Sequence, residues 1–592
     1  MQPRLLSSLL ALAFALPAAG ATTITVINNN APGVGFNDPT PAVPVGGNTG
    51  TTVGEQRRIA FQFAADLWGA TLDSAVEVRV QATFEPLTCT ATAAVLGSAG
   101  TTQVLRDFPG ALFPGTWYHT ALANKLGFED FIPGPPGTSS DDIRARFNAS
   151  IGQPGCLTGS GWYYGLDTGH AANQINLATV LLHEFAHGLG FSSFTSVSSG
   201  ALLAGLIDVY SKFYEDNSTG LAREAMTDLE RKASAINPRG VAWNGPAVSA
   251  AVPLVLALGT PLLRVNGPAT VAGDYQVGAA SFGPRLSAPG LTGELVLAFD
   301  DANLSGASTT DACTTIANAA EVLGRVALVD RGTCGFVIKV KNAQNAGAVA
   351  VVVADNAAGG PPAGLGGVDP TITIPAVRIT LADAQKLKAA LAGATVNVTL
   401  GVDLSVRAGA DRGGRALLYT PNPVQAGSSV SHWDTIASPS QLMEPAINAD
   451  LKLAVDAPTD LTRSLLRDVG WYPDRDLDGS PDDAGDQCLG SDLRPTVVID
   501  TCDTGVPNTY FTNGCTIRDL VAACKPPPAV SRKGQKKALE AYQDCVEQLL
   551  QTLAHQGFIT ERQAGQIESA LGFEDAEDGE NVCVGVGVGQ GG

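Results

Sequence analysis

Basic residues, histidine and methionine are the scarce components of this 592-residue chain. Lys and Arg number 37 against 57 Asp and Glu, a formal charge of −20 at pH 7. Beyond 532–537 there is no basic cluster, so phosphate backbones and anionic lipid surfaces are repelled and no nucleic-acid partner is expected. Charged residues make up only 16% and apolar ones 45%, the reverse of a disordered composition. Past the N-terminal segment no apolar run approaches the roughly 20 residues of a membrane-spanning helix, so no membrane anchor is expected. The 67 Gly and 36 Pro follow no three-residue period, which excludes collagen. Length alone suggests two to four domains.

What is present begins with an export signal over residues 1–21. Arg4 supplies the positive region, Leu5–Pro17 the apolar stretch and Ala19-Gly20-Ala21 the small-residue cleavage site. The expected location is therefore secreted, extracellular. The ten cysteines fall in three groups: Cys89 and Cys156, Cys313 and Cys334, and six after residue 487. Disulfides are the expected state in an exported protein, and pairing within groups is the simplest arrangement. Cys89, just after an expected strand, is expected to pair with Cys156 rather than act as a free thiol.

Periodicity gives a coarse map. A short strand is expected at Thr23–Ile27, a helix at Gly54–Ala70, a strand at Val76–Phe84 and a helix over 171–190. Residues 240–300 read as loop and strand. Apolar β-branched runs at Gly324–Asp330, Ala348–Ala354 and Ile372–Ile379 alternate with helical stretches Phe336–Ala346 and Leu381–Leu391, a rhythm that marks a separate module with a partly parallel sheet. Further helices are expected at Pro458–Asp468 and within 530–572.

Six histidines are few for this length, yet two fall in His183-Glu184-Phe185-Ala186-His187. On a helix, positions i and i+4 share a face, so both imidazoles can reach one cation with Glu184 beside it. Zinc in such a site brings the pKa of a bound water to about 7, and Glu184 is placed to act as general base. A catalytic zinc also requires a third protein ligand. Gly190 follows three residues after His187, and the metzincin spacing puts the third ligand at Ser193, a poor one. Among the remaining histidines, His119 and His170 lie in upstream loops and His555 in the Cys-rich tail. His432, in Ser431-His432-Trp433, is followed eleven residues later by Met443, one of only three methionines.

His-Glu-x-x-His-x-x-Gly-Phe, then a distant Ser-His-Trp and a Leu-Met-x-Pro, resembles leishmanolysin, a metzincin zinc peptidase family, over roughly 22–250 and 406–473. The resemblance implies His183, His187 and His432 as zinc ligands, Glu184 as catalytic base and Met443 as the Met-turn residue. The 245-residue gap between His187 and His432 is filled by Gly324–Cys334, Lys339–Gly347, Val351–Asn356 and Ile374–Val377, which are similar to the protease-associated (PA) domain over roughly 255–405. That family implies a β-rich lid or substrate-binding module without catalytic residues of its own, and Cys313 and Cys334 are expected to pair inside it. A rigid base is expected, so that His432 can rejoin the site. Asp330 and Arg331 are expected to be turn residues rather than catalytic groups.

Asp474, Asp476, Asp478 and Asp482 alternate around Gly479, a spacing that gathers oxygens for calcium. It resembles a thrombospondin type 3 repeat. Asn148, Asn217, Asn303 and Asn397 each begin an Asn-x-Ser/Thr triplet. The expected fold class is α+β: a metzincin-like peptidase domain over 22–254 and 406–473, interrupted by a PA domain at 255–405. A calcium-binding linker at 474–488 and a Cys-rich, partly helical region at 489–592 follow. The expected function is hydrolysis of peptide bonds in protein or peptide substrates by a secreted zinc endopeptidase. Two other readings are an aminopeptidase-type exopeptidase and a calcium-dependent adhesin with a decayed peptidase site. The sequence sets no oligomeric state.

Overall fold

The computed structural model describes residues 22–302, 308–367, 369–448, 450–474, 480–483, 485–499, 502–511, 513–525 and 532–572. The expected export signal, Asp476, Asp478, Asn303 and Cys583 lie outside the described residues. The chain divides between Trp471 and Tyr472 into two compact units. Among the described residues no helix is long and apolar enough to cross a membrane.

The larger unit is built on a mixed four-stranded sheet. Its strands are Ile24–Asn28 (β1), Val78–Glu85 (β2), Gly97–Thr101 (β3) and Ile143–Asn148 (β4), in the spatial order β1-β2-β4-β3. β1, β2 and β4 run parallel, and β3 closes the edge antiparallel to β4. Helix α1 (Val53–Thr71) starts at a capping box in which Thr52 and Glu55 satisfy each other's backbone N–H. It packs against helix α2 (Leu177–Leu189), and the Trp68 indole donates to the Leu182 carbonyl at 3.1 Å. Phe61 of α1 meets Phe36, Phe84, Phe147 and Phe185 in one aromatic cluster beneath the sheet.

The expected elements appear with shifts of a few residues. The 171–190 stretch yields a shorter helix, because Gln174–Asn176 forms a strand before it. The 240–300 stretch is corrected more substantially: Pro246–Val255 is a helix (α3) despite Pro253 near its end. Its first turn is capped from far away, Asp468 accepting from Ala247 N at 2.7 Å and Val248 N at 3.2 Å. Asp468 belongs to a helix at Thr462–Val469 near the end of this unit.

The module between the two halves is an eight-stranded mixed sheet. Its first and last strands, Leu258–Gly267 (β5) and Val396–Arg407 (β6), pair antiparallel from Leu258↔Arg407 onward. Both chain connections to the module therefore run side by side as a hydrogen-bonded ribbon, a stiff base rather than a loose tether. Three central strands, Val326–Asp330, Ala350–Ala354 and Ala376–Ile379, run parallel and are buried almost throughout. Apolar clusters cover both sheet faces, as parallel strands require. Cys313–Cys334 closes a loop inside the module, and Cys89–Cys156 one in the first half. Asp330 pairs with Lys388 at 2.5 Å and Arg331 with Asp355 at 3.0 Å, so both serve structural ion pairs.

The smaller unit has a hairpin, Thr496–Ile499 with Cys502–Pro507, and helices Ile517–Ala523, Arg532–His555 and Glu561–Ala570. Val497, Ile517, Val521, Leu550 and Ile567 form its small core. Cys488–Cys515 and Cys524–Cys545 staple it. By chain entropy each bridge contributes about 3–4 kcal/mol, useful where the core is small.

Candidate metal centre

Helix α2 positions the first two histidines. Asn176 caps it, its side chain accepting from Ala178 N and Thr179 N. Every residue from Leu177 to Leu189 is buried, so the helix is held on all sides rather than along one stripe. Gly188 is required where the helix crosses β4: a Cβ there would meet the Ile143 side chain at 2.5 Å. Gly190, at φ +139°, ends the helix. The Leu189 carbonyl exposed by that ending receives the Trp471 indole N–H at 2.7 Å.

The third histidine arrives on an antiparallel segment. Tyr419 N donates to His432 O and Val430 N to Tyr419 O, both at 2.8 Å, forming a hairpin whose far end spans 420–429. Leu418 N in turn donates to Val241 O at 3.0 Å, tying the hairpin to the first half. The structure thus brings His183, His187 and His432 together across 245 residues of sequence. Their Nε2 atoms form a near-equilateral triangle: 3.2 Å between His183 and His187, and 3.3 Å from His432 to each. Among the described residues this is the one cluster of three potential metal ligands.

The protonation pattern explains why the three nitrogens converge. Each Nδ1 faces a backbone carbonyl: His183 that of Leu442 at 2.8 Å, His187 that of Phe191 at 2.8 Å, and His432 that of Ser428 at 2.9 Å. A carbonyl only accepts, so each Nδ1 carries the hydrogen and each neutral ring presents a bare Nε2 lone pair. Three lone pairs pointed at one another cannot hydrogen-bond among themselves; a cation between them relieves the repulsion. Tetrahedral zinc with Zn–N of about 2.0–2.1 Å has N···N edges of about 3.3–3.4 Å, close to the observed triangle. Burial holds the imidazoles neutral, lowering His183 to about 4, His187 to about 3 and His432 well below its ordinary value. The donor set fits a zinc ion.

Glu184 is buried beside the two helical ligands, and in metal-free protein burial pushes its carboxyl up to about 8, while a cation held by the histidines would favour the ionised form. Space for its side chain is left by Gly97 of edge strand β3, where a Cβ would lie 3.1 Å from the carboxylate Oε1. Met443 is fully buried in the same apolar core as α2. Its carbonyl accepts from Trp433 N at 2.8 Å, and the preceding residue, Leu442, supplies the carbonyl that orients His183. The turn at 441–444 is therefore bonded to His183 directly and to Trp433, the residue after His432.

Ser193 takes no part in the triangle. Its hydroxyl donates to Asp208 Oδ2 at 3.0 Å and meets Ser211 Oγ at 2.9 Å, while its N–H donates to Ser431 Oγ at 3.2 Å. It joins the turn after α2 to the residue before His432. His119 is fully buried, its Nε2 on Ser192 Oγ at 2.8 Å, and burial lowers it to about 3. His170 packs near Tyr163 with ring centroids 6.0 Å apart, and His555 is exposed at a helix end of the smaller unit. None of these three belongs to the cluster. Sequence reasoning missed the three orienting carbonyls, for which no side-chain signal exists, Gly97, whose neighbour Glu184 is distant in sequence, and Asp208, which no motif marks.

Asp474 and Asp482 lie in the described part of the Asp-rich stretch, and Asp482 N donates to Pro473 O at 2.9 Å. Asn148 is buried, with its amide nitrogen on Val95 O at 2.9 Å, which removes it as a glycan acceptor.

The PA domain family matches residues 291–387. An 85-residue stretch is 34% identical to minor extracellular protease Vpr of Bacillus subtilis (strain 168), covering 14% of this chain and 10% of that protein. Among solved structures, an aminopeptidase from Aneurinibacillus sp. strain AM-1 is similar at 26% identity with a TM-score of 0.19, over 28% of this chain and 33% of that one. BSAP, a zinc aminopeptidase from Bacillus subtilis, is similar at 22% identity with a TM-score of 0.18, over 26% of this chain and 36% of that one. The chain spans about a tenth of the curated relative and about a third of each solved relative. It is a mixed α+β protein with a PA domain set inside its larger unit.

Proposed function

We propose that the protein is a secreted zinc endopeptidase of leishmanolysin-like, metzincin type. The observation that carries this reading is the convergence of three Nε2 lone pairs from His183, His187 and His432, with Glu184 alongside. A zinc ion held there supplies Lewis acidity towards a peptide carbonyl and lowers the pKa of a water. Glu184 takes the proton from the attacking water and passes it to the leaving amine. Burial of Glu184 limits competing solvent, and the carbonyls of Leu442, Phe191 and Ser428 keep the three imidazoles in one tautomer. Met443 acts as the Met-turn, through the hydrogen bonds that its segment makes to Trp433 and His183.

Edge strand β3 favours internal cleavage over trimming from an end. It is the last strand of its sheet, and Gly97 lies against Glu184. An extended polypeptide can pair along such an edge and continue past the site in both directions. The test is an internally quenched peptide blocked at both ends. Cleavage that is abolished by a chelator and restored by zinc supports the endopeptidase. Hydrolysis confined to unblocked N-termini supports the aminopeptidase reading. Zinc-free native protein that binds a surface in calcium supports the adhesin.

The domain organisation proposed is a peptidase split into 22–254 and 406–473 around a PA insertion at 255–405. Calcium at Asp474, Asp476, Asp478 and Asp482 follows, and then the Cys-rich region. The hydrogen bond from Asp482 N to Pro473 O, which holds Asp482 next to the residue before Asp474, supports the calcium site.

A further inference from the structure

Besides its stem and a hydrogen bond from Arg239 Nη2 to the Val277 carbonyl at 3.0 Å, the PA module touches the peptidase part on the hairpin that carries His432. The loop after strand Ala350–Ala354 reaches across to Asn422. Gly360 N donates to Asn422 O at 2.8 Å and Asn422 N to Gly360 O at 2.5 Å, a reciprocal two-bond bridge. The loop is firmly held on its own side, since Asp355 at its root pairs with both Arg331 and Arg378. Gly359 makes the approach possible: at φ +120° a Cβ would sit 1.8 Å from the Asn422 carbonyl oxygen and 3.1 Å from Pro423 Cδ. No side chain fits there, and an L-residue is strained at that φ.

From Asn422 the chain runs directly to the third histidine's support. Ser428 N and Ser429 N both return to Gln425 O, at 3.1 and 2.9 Å, and Gln425 N donates to Ser429 Oγ at 3.0 Å. This compact turn presents the Ser428 carbonyl to His432 Nδ1. One end of the hairpin is tied to the first half of the peptidase through Leu418 and Val241; the other is tied to the PA module through Asn422.

We propose that the PA module is a positioning element for the metal centre: its Gly359–Gly360 loop pins the hairpin tip so that the Ser428 carbonyl holds His432 in register with His183 and His187. Gly359, Gly360 and Asn422 are positioning residues, not catalytic ones. The inference rests on the reading of the three histidines as a zinc site and adds that the inserted domain controls its affinity.

The test compares Gly359→Ala with Gly324→Ala in the full chain. Gly324 is also in the PA module and also at positive φ (+73°), but a Cβ there meets nothing within 4 Å. Both substitutions place an L-residue at positive φ, and only one breaks the bridge; Gly273→Ala, in the same module at φ +147° with nothing within 4 Å of its Cβ, controls for the greater backbone strain at +120°. Zinc affinity is measured by chelator competition, and the arrangement of the ligands by the visible spectrum of the cobalt(II)-substituted protein. The expected result is wild-type affinity and spectrum for Gly324→Ala, with affinity about 10-fold weaker and an altered cobalt spectrum for Gly359→Ala, the lower end of what loss of a ligand's supporting contact does. If Gly359→Ala does not fold, Asn422→Pro, which deletes the N–H donated to Gly360, replaces it. Equal affinity and spectrum in the bridge variant and Gly324→Ala overturn the inference while leaving the zinc site standing. Equal zinc binding by wild type and His432→Ala overturns the zinc reading, and the inference with it.

Discussion

Gly188→Ala tests whether helix and sheet meet as closely as the structure shows. The added Cβ would lie 2.5 Å from Ile143 Cγ2 and 2.8 Å from both Cγ1 and Cδ1. Carbon atoms rest at about 3.5–4.0 Å, so a separation of roughly 1 Å must be found. Ile143 cannot yield much: it is buried and begins a strand paired on both sides, to Val80 and to Thr101. The helix must move instead, and His183 and His187 move with it while His432, on its own hairpin, stays. Overpacking of this kind costs about 1–3 kcal/mol, whereas Ala in place of Gly in a helix interior returns about 1 kcal/mol. The net expectation is a loss of about 0–2 kcal/mol in denaturant unfolding of metal-free protein, with weakened zinc binding. The double variant with Ile143→Ala should show a favourable coupling, since removing the side chain removes the collision. A Gly188→Ala protein more stable than wild type by the helix-propensity gain, with unchanged zinc affinity, would refute the packing argument.

Three further expectations follow from the same geometry. Glu184→Gln should lower peptide hydrolysis by about 10²–10⁴-fold, the usual worth of a general base, with zinc content by atomic absorption unchanged. Asp468 is raised to about 6 by burial, against 3.8 when exposed; its folded-state pKa lies above the unfolded one, so its contribution is full below about pH 4 and is lost as pH rises through about 6. About two pKa units correspond to about 3 kcal/mol, and in metal-free protein the stability difference between wild type and Asp468→Asn should change by that order between pH 4 and 7; parallel curves would contradict it. Calcium should raise the melting temperature of the wild-type protein but not of Asp474→Asn, read by differential scanning calorimetry; equal shifts would remove Asp474 from the site.

The helical half of the site was legible because its information is local. Spacing of four puts His183 and His187 on one face, the apolar run before them signals burial, and Gly190 marks the end. The inserted module was legible through alternating β-branched and helical runs, and its strands fall within a few residues of expectation. His432 was marked out from His119 and His170 by Met443 eleven residues later, one of three methionines, and the resemblance gave that pairing its meaning. The rest lay beyond sequence for identifiable reasons. The carbonyls of Leu442, Phe191 and Ser428 that fix the imidazole tautomers leave no trace in residue identity. Helix Pro246–Val255 is capped by Asp468, some 220 positions away, and a tertiary cap gives no local start signal. Ser193 looked like a ligand lost from the metzincin spacing; its partners Asp208 and Ser211 show a hydrogen-bonding role that neighbouring residues do not announce.

The most direct test of the central claim is the zinc content of natively purified wild type beside His432→Ala. The account predicts one tightly held zinc per wild-type chain, lost or greatly weakened in the variant. Equal zinc in the two proteins, or none in either, would contradict it.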